Sequence, residues 1–195
     1  MPTYVIHEKV GYDIGKKLNL HTYNYYLGIM APDSNKIRVA LTDEDRYGSH
    51  LRDRDYNKWR LQLKSFYIDN VDNFEYDFLM GYIIHILTDI VYDEFFYSTV
   101  IGNMKKDCVC TSSYHQSMFM DMDNYYFKEL YGINDILRNS SLTYDILDIK
   151  RNEMKKWKNL QIGRSIHKNT CIYITKEIFE GIEEKVMEEL EKDYL

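Results

Sequence analysis

Two side chains in the segment GYIIHILTDIVYDEFF combine reactive chemistry with a shared placement. His85 and Asp89 stand four residues apart, so on a helix both project from one face. Their neighbours are apolar, and an unpaired carboxylate in such a setting is costly. Something must compensate Asp89. A metal cation is one solution, since imidazole and carboxylate are both zinc ligands. A hydrogen bond from a buried His85 one turn away is another, and for this pair taken alone it is the simpler reading. Further donors are spread along the chain. His7 lies one turn before Val10, on the side of the first helix that should face the core. Asp33 follows Pro32 at a forced helix end. His50 sits in the polar stretch GSHLRDRD, and His115 opens a later helix, with Asp121 and Asp123 after it. Each has a plain alternative: a satisfied core histidine, a turn residue, a solvent-facing loop residue.

The order of these residues shifts the balance. An early histidine in YVIHEKVG is followed by LGIMAPD ending at Asp33, by SHLRD with His50, and by GYIIHILTD with His85 and Asp89. This series resembles the zinc-dependent phospholipase C family, whose helical fold is shared with the S1/P1 nucleases. The resemblance covers roughly the first half of the chain and depends on order and context rather than on any one segment. It implies that Asp33, His50, His85 and Asp89 form one metal site and that Asp89 bridges to a second ion held by His7. It implies one to three zinc ions, with two expected. Family members usually hold a third ion through another histidine and a His-x-x-x-Glu pair, and here the chain departs. No histidine follows Asp89 on the same helix, where Asp93 and Glu94 stand instead. His115 is followed four residues later by Phe119, leaving Asp121 or Asp123 as its carboxylate partner. Secreted members also chelate through an N-terminal tryptophan. This chain starts Met1-Pro2, so that contact is missing or replaced by the Pro2 amine.

The implied chemistry is hydrolysis of a phosphate ester or diester. Clustered zinc ions lower the pKa of a bound water and stabilise charge on a phosphoryl group, so that water would attack phosphorus. Asp33 resembles the family's proposed general base. A small phosphate ester, a phospholipid head group, a nucleotide or a short oligonucleotide would all suit such a site.

The elements that must position these residues read as helices. Ile6, Val10, Ile14 and Leu18 form an apolar stripe on a first helix beginning near Thr3, which Asn19 can end. A short helix covers Tyr23 to Met30 and should stop near Ala31, because a residue preceding proline disfavours helical geometry. Ser34 to Arg54 reads as a long loop. Tyr56, Trp59, Leu63, Phe66 and Tyr67 mark a third helix, with a polar break from Asp69 to Asn73. The central helix runs from about Glu75 to Tyr97 and is apolar nearly all round, which belongs in the middle of a bundle. Gly102 to Ser113 reads as a polar connector. Later helices are expected at Tyr114 to Leu130, at Thr143 to Trp157 and at Lys176 to Lys192, while Tyr173 and Ile174 have strand-like character. The expectation is an all-α bundle around a central buried helix, resembling the phospholipase C/P1 nuclease fold.

Bulk properties agree with that class. The chain has 195 residues, two prolines and no linker-like or repeated segment, so one helical domain over 1–195 is expected. The net charge of −6 gives no general attraction to nucleic-acid backbones or anionic membranes, although metal ions can still hold a small phosphate against that global sign. No apolar run reaches membrane-spanning length, and the N-terminus lacks a signal-peptide pattern. Cys108, Cys110 and Cys171 are odd in number and lack zinc-ribbon or thioredoxin spacing, which fits free thiols in a reducing cytoplasm. Two other function classes compete. An HD-type helical phosphohydrolase needs an adjacent His-Asp pair, which the chain lacks. A non-catalytic helical protein that binds a structural metal or a partner is the stronger alternative, given the altered third site and the missing tryptophan.

Overall fold

The computed structural model describes residues 4–40, 42–107, 132–163 and 173–195. Among these the helices are α1 (Tyr4–Leu18), α2 (Tyr23–Met30), α3 (Asp43–Ser49), α4 (Tyr56–Asn70), α5 (Tyr76–Val91), α6 (Tyr97–Lys106), α7 (Arg151–Ile162) and α8 (Lys176–Asp193). A further helical stretch covers 132–138. Among the described residues there is no strand, only an isolated bridge between Ile146 and Ile149. The all-α expectation holds at that level. No helix among these residues is long and apolar enough to cross a membrane.

α5 is the axis. Every residue from Phe78 to Val91 is buried, as an all-round apolar helix requires. α1, α2, α4 and α8 pack against it. Each contributes one stripe: Ile6, Val10 and Ile14 from α1, Trp59, Leu63 and Phe66 from α4, and Phe179, Ile182, Val186 and Leu190 from α8. The helix ends follow from local chemistry. α1 stops at Leu18 because Asn19 adopts φ 58°, a left-handed conformation that asparagine tolerates. Thr22 caps α2 by accepting from the Tyr25 N–H at 3.2 Å, and Thr175 caps α8 through the Ile178 N–H at 3.4 Å.

α2 and α5 cross backbone to backbone, through a glycine on each. A Cβ on Gly28 would strike the carbonyl of Phe78, and one on Gly81 would strike the carbonyl of Tyr25 and the nitrogen of Ile29. Only glycine permits this approach. Both residues lie inside the segments LGIMAPD and GYIIHILTD, so the crossing sets the distance between the two elements that carry Asp33 and His85.

α2 spans Tyr23–Met30, as the sequence reading expects, although the residue before Pro32 is not what ends it; other boundaries differ, each for a local reason. Ala31 is helical, with φ −60° and ψ −46°. The chain does not break before Pro32 but tightens into a 3₁₀ segment, Ala31–Ile37, with the proline in its first turn, where no backbone N–H is required. The expected loop from Ser34 to Arg54 contains α3. The signal for it is a capping box: the Thr42 hydroxyl accepts from the Asp45 N–H at 3.1 Å, and Asp45 accepts from the Thr42 N–H at 2.9 Å. Helix continues past Tyr97 as α6, so Gly102 to Lys106 of the expected connector is helical, and the part from Cys108 to Ser113 lies outside the described residues. Between α5 and α6 the chain makes a wider π-type turn at Tyr92–Phe96.

Residues 143–149 are not helical, although a helix was expected from Thr143. Ile146 and Ile149 exchange backbone hydrogen bonds of 3.0 and 2.9 Å around Leu147 at φ 51°, and α7 begins only at Arg151. Tyr173 and Ile174 are buried in a bend rather than a strand. The helix expected at Tyr114 to Leu130 and the three cysteines lie outside the described residues.

Candidate metal centre

Four structural routes deliver ligands to one place. α1 carries His7 on its core-facing side. The 3₁₀ segment after α2 carries Asp33 in its first turn. α3 ends at His50, and the next residue, Leu51, turns the chain away with φ 51°. α5 supplies His85 and Asp89 from one face. All five side chains are at most 2% exposed. His115 and Asp121, expected as further ligands, and Asp123 lie outside the described residues.

The donor atoms lie close together without the geometry of ordinary hydrogen bonds. His7 Nε2 is 3.4 Å from Asp89 Oδ1, and His50 Nε2 is 3.6 Å from Asp89 Oδ2 and 3.3 Å from Asp33 Oδ1. His85 Nε2 is 3.8 Å from Asp89 Oδ2 and 3.4 Å from His50 Nε2. Hydrogen bonds between such groups span about 2.7–3.2 Å. Two ligands of one tetrahedral zinc, each at about 2.0–2.1 Å, are separated by about 3.3–3.4 Å. The His7–Asp89, His50–Asp33 and His50–His85 spacings fall at the second value, and the two to Asp89 Oδ2 are wider, at 3.6 and 3.8 Å. His7, His85 and Asp89 form one group able to hold an ion, and Asp33, His50 and His85 form another. Asp89 faces both, with one oxygen toward His7 and the other toward His50 and His85.

The unpaired atoms support the same reading. His7 Nδ1, both carboxylate oxygens of Asp89 and Asp33 Oδ2 are buried without a hydrogen bond, while Asp33 Oδ1 faces the Lys36 ammonium at 2.6 Å. A buried carboxylate without a donor is expensive, and a cation would resolve that cost for Asp89. The residues therefore fit a metal ion. Burial pushes the Asp33 carboxyl up, yet the Lys36 ammonium, with His50, outweighs it and holds the group well below the usual range. Burial likewise opposes ionisation of Asp89, and His7, with His50, overcomes it. Burial, reinforced by His7, pushes His85 well below its ordinary value, so its imidazole is neutral and able to ligate.

A surrounding layer orients the ligands. His85 Nδ1 lies 2.6 Å from the Ile29 carbonyl. That carbonyl can only accept, so Nδ1 carries the proton and Nε2 keeps its lone pair for the centre. His50 Nδ1 lies 2.9 Å from Ser49 Oγ, which accepts from Asn35 Nδ2 at 2.9 Å. Trp59 Nε1 donates to the His50 carbonyl at 2.8 Å. None of these partners was singled out from the sequence. Ser49 was adjacent to His50 in plain view, but nothing in its type distinguishes a ligand-orienting hydroxyl from a loop serine. Asp93 and Glu94, noted as nearby carboxylates, point to other partners: Asp93 pairs with Arg52 at 2.9 Å and Glu94 with Arg60 at 2.7 Å.

Comparison with protein-family models, with curated proteins and with solved structures finds no match for this chain.

Proposed function

We propose that this protein is a metal-dependent phosphoric ester or diester hydrolase, resembling zinc-dependent phospholipase C, with two zinc ions held by His7, Asp33, His50, His85 and Asp89. The observation that carries the reading is the buried pair of carboxylates, Asp33 and Asp89, facing three imidazoles at close to ligand-to-ligand spacing, with no hydrogen bond to Asp89 and only the Lys36 ammonium on Asp33. Bound zinc would supply an acidified water and positive charge opposite a phosphoryl group. The chain's own residues do the rest. His85 and His50 offer Nε2 atoms to the centre, and the far sides of their rings are held by Ile29 and Ser49. Asp89 serves both groups of ligands. Asp33 has a second oxygen free of donors, able to take a proton from a water held beside it.

A structural metal in a non-catalytic helical protein is the second reading. The observation on its side is the burial of all five ligands, since structural sites are closed and catalytic ones keep an open position. Metal analysis of the purified protein, followed by turnover of bis(p-nitrophenyl) phosphate and p-nitrophenyl phosphate with and without chelator, separates the two. Chelator-sensitive turnover restored by zinc supports the hydrolase. Tightly held zinc with no turnover of either ester supports the structural centre, and no metal binding at all overturns both.

A further inference from the structure

Among the described residues, Lys36 is the one cationic side chain that enters the ligand set from outside. Its ammonium lies 2.6 Å from Asp33 Oδ1, and its side chain is 32% exposed where that of Asp33 is 1% exposed. Among the described residues no other lysine or arginine pairs with Asp33 or Asp89. The two residues stand three apart in the 3₁₀ segment, where positions i and i+3 eclipse, so the backbone itself aims the ammonium at the carboxylate. Lys36 thus extends from solvent to a buried metal-ligand oxygen and marks the side from which a charged molecule can approach.

An ammonium on Asp33 duplicates the charge that a metal ion brings to the same oxygen. With an ion on Asp33, the carboxylate's demand for Lys36 falls, and the ammonium sits on a flexible, partly solvated stem beside the centre. A lysine of this kind binds phosphate oxygens as a point charge. We propose that Lys36 anchors the phosphoryl group: it pairs with Asp33 in the ion-free protein and with a non-bridging phosphate oxygen when Asp33 is engaged by metal. The inference rests on the phosphoryl-site part of the function proposed above.

The test is binding of inorganic phosphate to the zinc-loaded full chain, followed by calorimetry, with zinc content measured on the same samples. Lys36→Gln should weaken phosphate binding by about tenfold or more at unchanged zinc content, the scale of a lost charge-assisted hydrogen bond. Lys36→Arg should return it to within about threefold, because a guanidinium also pairs with phosphate. Lys36→Met keeps the stem and gives the same readout if the amide variant folds poorly. Phosphate affinity that is unchanged without the ammonium overturns the proposal. So does a loss of zinc that accounts for the loss of phosphate, or a zinc-loaded wild type that does not bind phosphate. Turnover separates this outcome from the broader one. Lys36-dependent phosphate binding without ester hydrolysis removes the hydrolase and leaves the anchor. Hydrolysis with Lys36-independent phosphate binding does the reverse.

Discussion

The imidazoles of His7 and His85 lie face to face, with ring centroids 3.6 Å apart and planes 11° from parallel. Two imidazolium rings could not be held this way in a buried site. Burial, reinforced by His7, holds His85 well below its ordinary value in this stack, so His85 offers a lone pair there, with Asp89 supplying the negative charge between the pair and His50.

Asp89 is consequently the residue whose loss should cost most. In Asp89→Asn one oxygen is replaced by an amide nitrogen that cannot ligate, and the negative charge shared by the two ligand groups disappears. We expect zinc content to fall by about one ion or more per chain and ester turnover to fall by at least about a hundredfold. Elemental analysis with steady-state kinetics checks both. Full zinc content and full turnover in this variant would contradict the shared-carboxylate arrangement.

Ser49→Ala tests the layer behind the ligands. It removes the Ser49 hydroxyl from His50 Nδ1 and one of the two acceptors of Asn35 Nδ2, which keeps the Asp45 carbonyl, while touching no donor atom of the centre. Loss of an orienting partner typically weakens metal binding by about 10–100-fold. Competition titration against a chelator of known affinity measures it. An affinity equal to wild type would show that the Trp59 hydrogen bond to the His50 carbonyl suffices to hold that imidazole.

Glu183 on α8 gives a pH dependence remote from the centre. Burial, followed by a hydrogen bond with the Asp13 carboxyl on α1, pushes its pKa up to about 8. The folded chain then keeps a proton that the unfolded chain releases above the ordinary glutamate value. Stability from this group is accordingly present at low pH and is lost as pH rises toward about 8. Glu183→Gln should therefore raise the melting temperature relative to wild type at about pH 8.5 more than at about pH 5. The comparison is best made with chelator present, because zinc retention improves as histidines deprotonate and has the opposite sign. An equal difference at both pH values would remove the shared-proton pair.

Gly81→Ala probes the crossing of α2 and α5. The added methyl meets backbone rather than a movable side chain, so the helices must separate, at a cost of about 1–3 kcal/mol or more. The same displacement carries His85 away from the Ile29 carbonyl, so zinc affinity should fall together with thermal stability. Gly102→Ala in α6 is the control. Its Cβ meets nothing within 4 Å, and the substitution should stabilise by about 0.5–1 kcal/mol. If Gly81→Ala melted like wild type, the contact between the helices would be looser than described.

Much of this protein is legible from residue types and spacing. The stripes on α1, α4 and α8 and the all-round apolar face of α5 follow from helical period alone, since each apolar residue has only one way to leave water. The i, i+4 relation of His85 and Asp89 follows likewise, because helix geometry converts spacing into direction. Where the linear reading misplaced boundaries, the deciding contacts were local but small: a capping box at Thr42 and Asp45, and two backbone hydrogen bonds between Ile146 and Ile149. Such contacts lack any periodic signature.

The assembly of the centre belongs to tertiary structure. Sequence order suggested that His7, Asp33, His50, His85 and Asp89 act together, but their convergence depends on the glycine-to-glycine crossing of α2 and α5 and on the turn at Leu51 that presents His50. The same packing set the tautomer of His85, through the Ile29 carbonyl of a different helix. Distances between atoms on separate elements come from how whole faces pack, which no residue encodes singly. The chain alone could name the candidate donors. Only the packed helices could bring those donors to spacings that suit a metal.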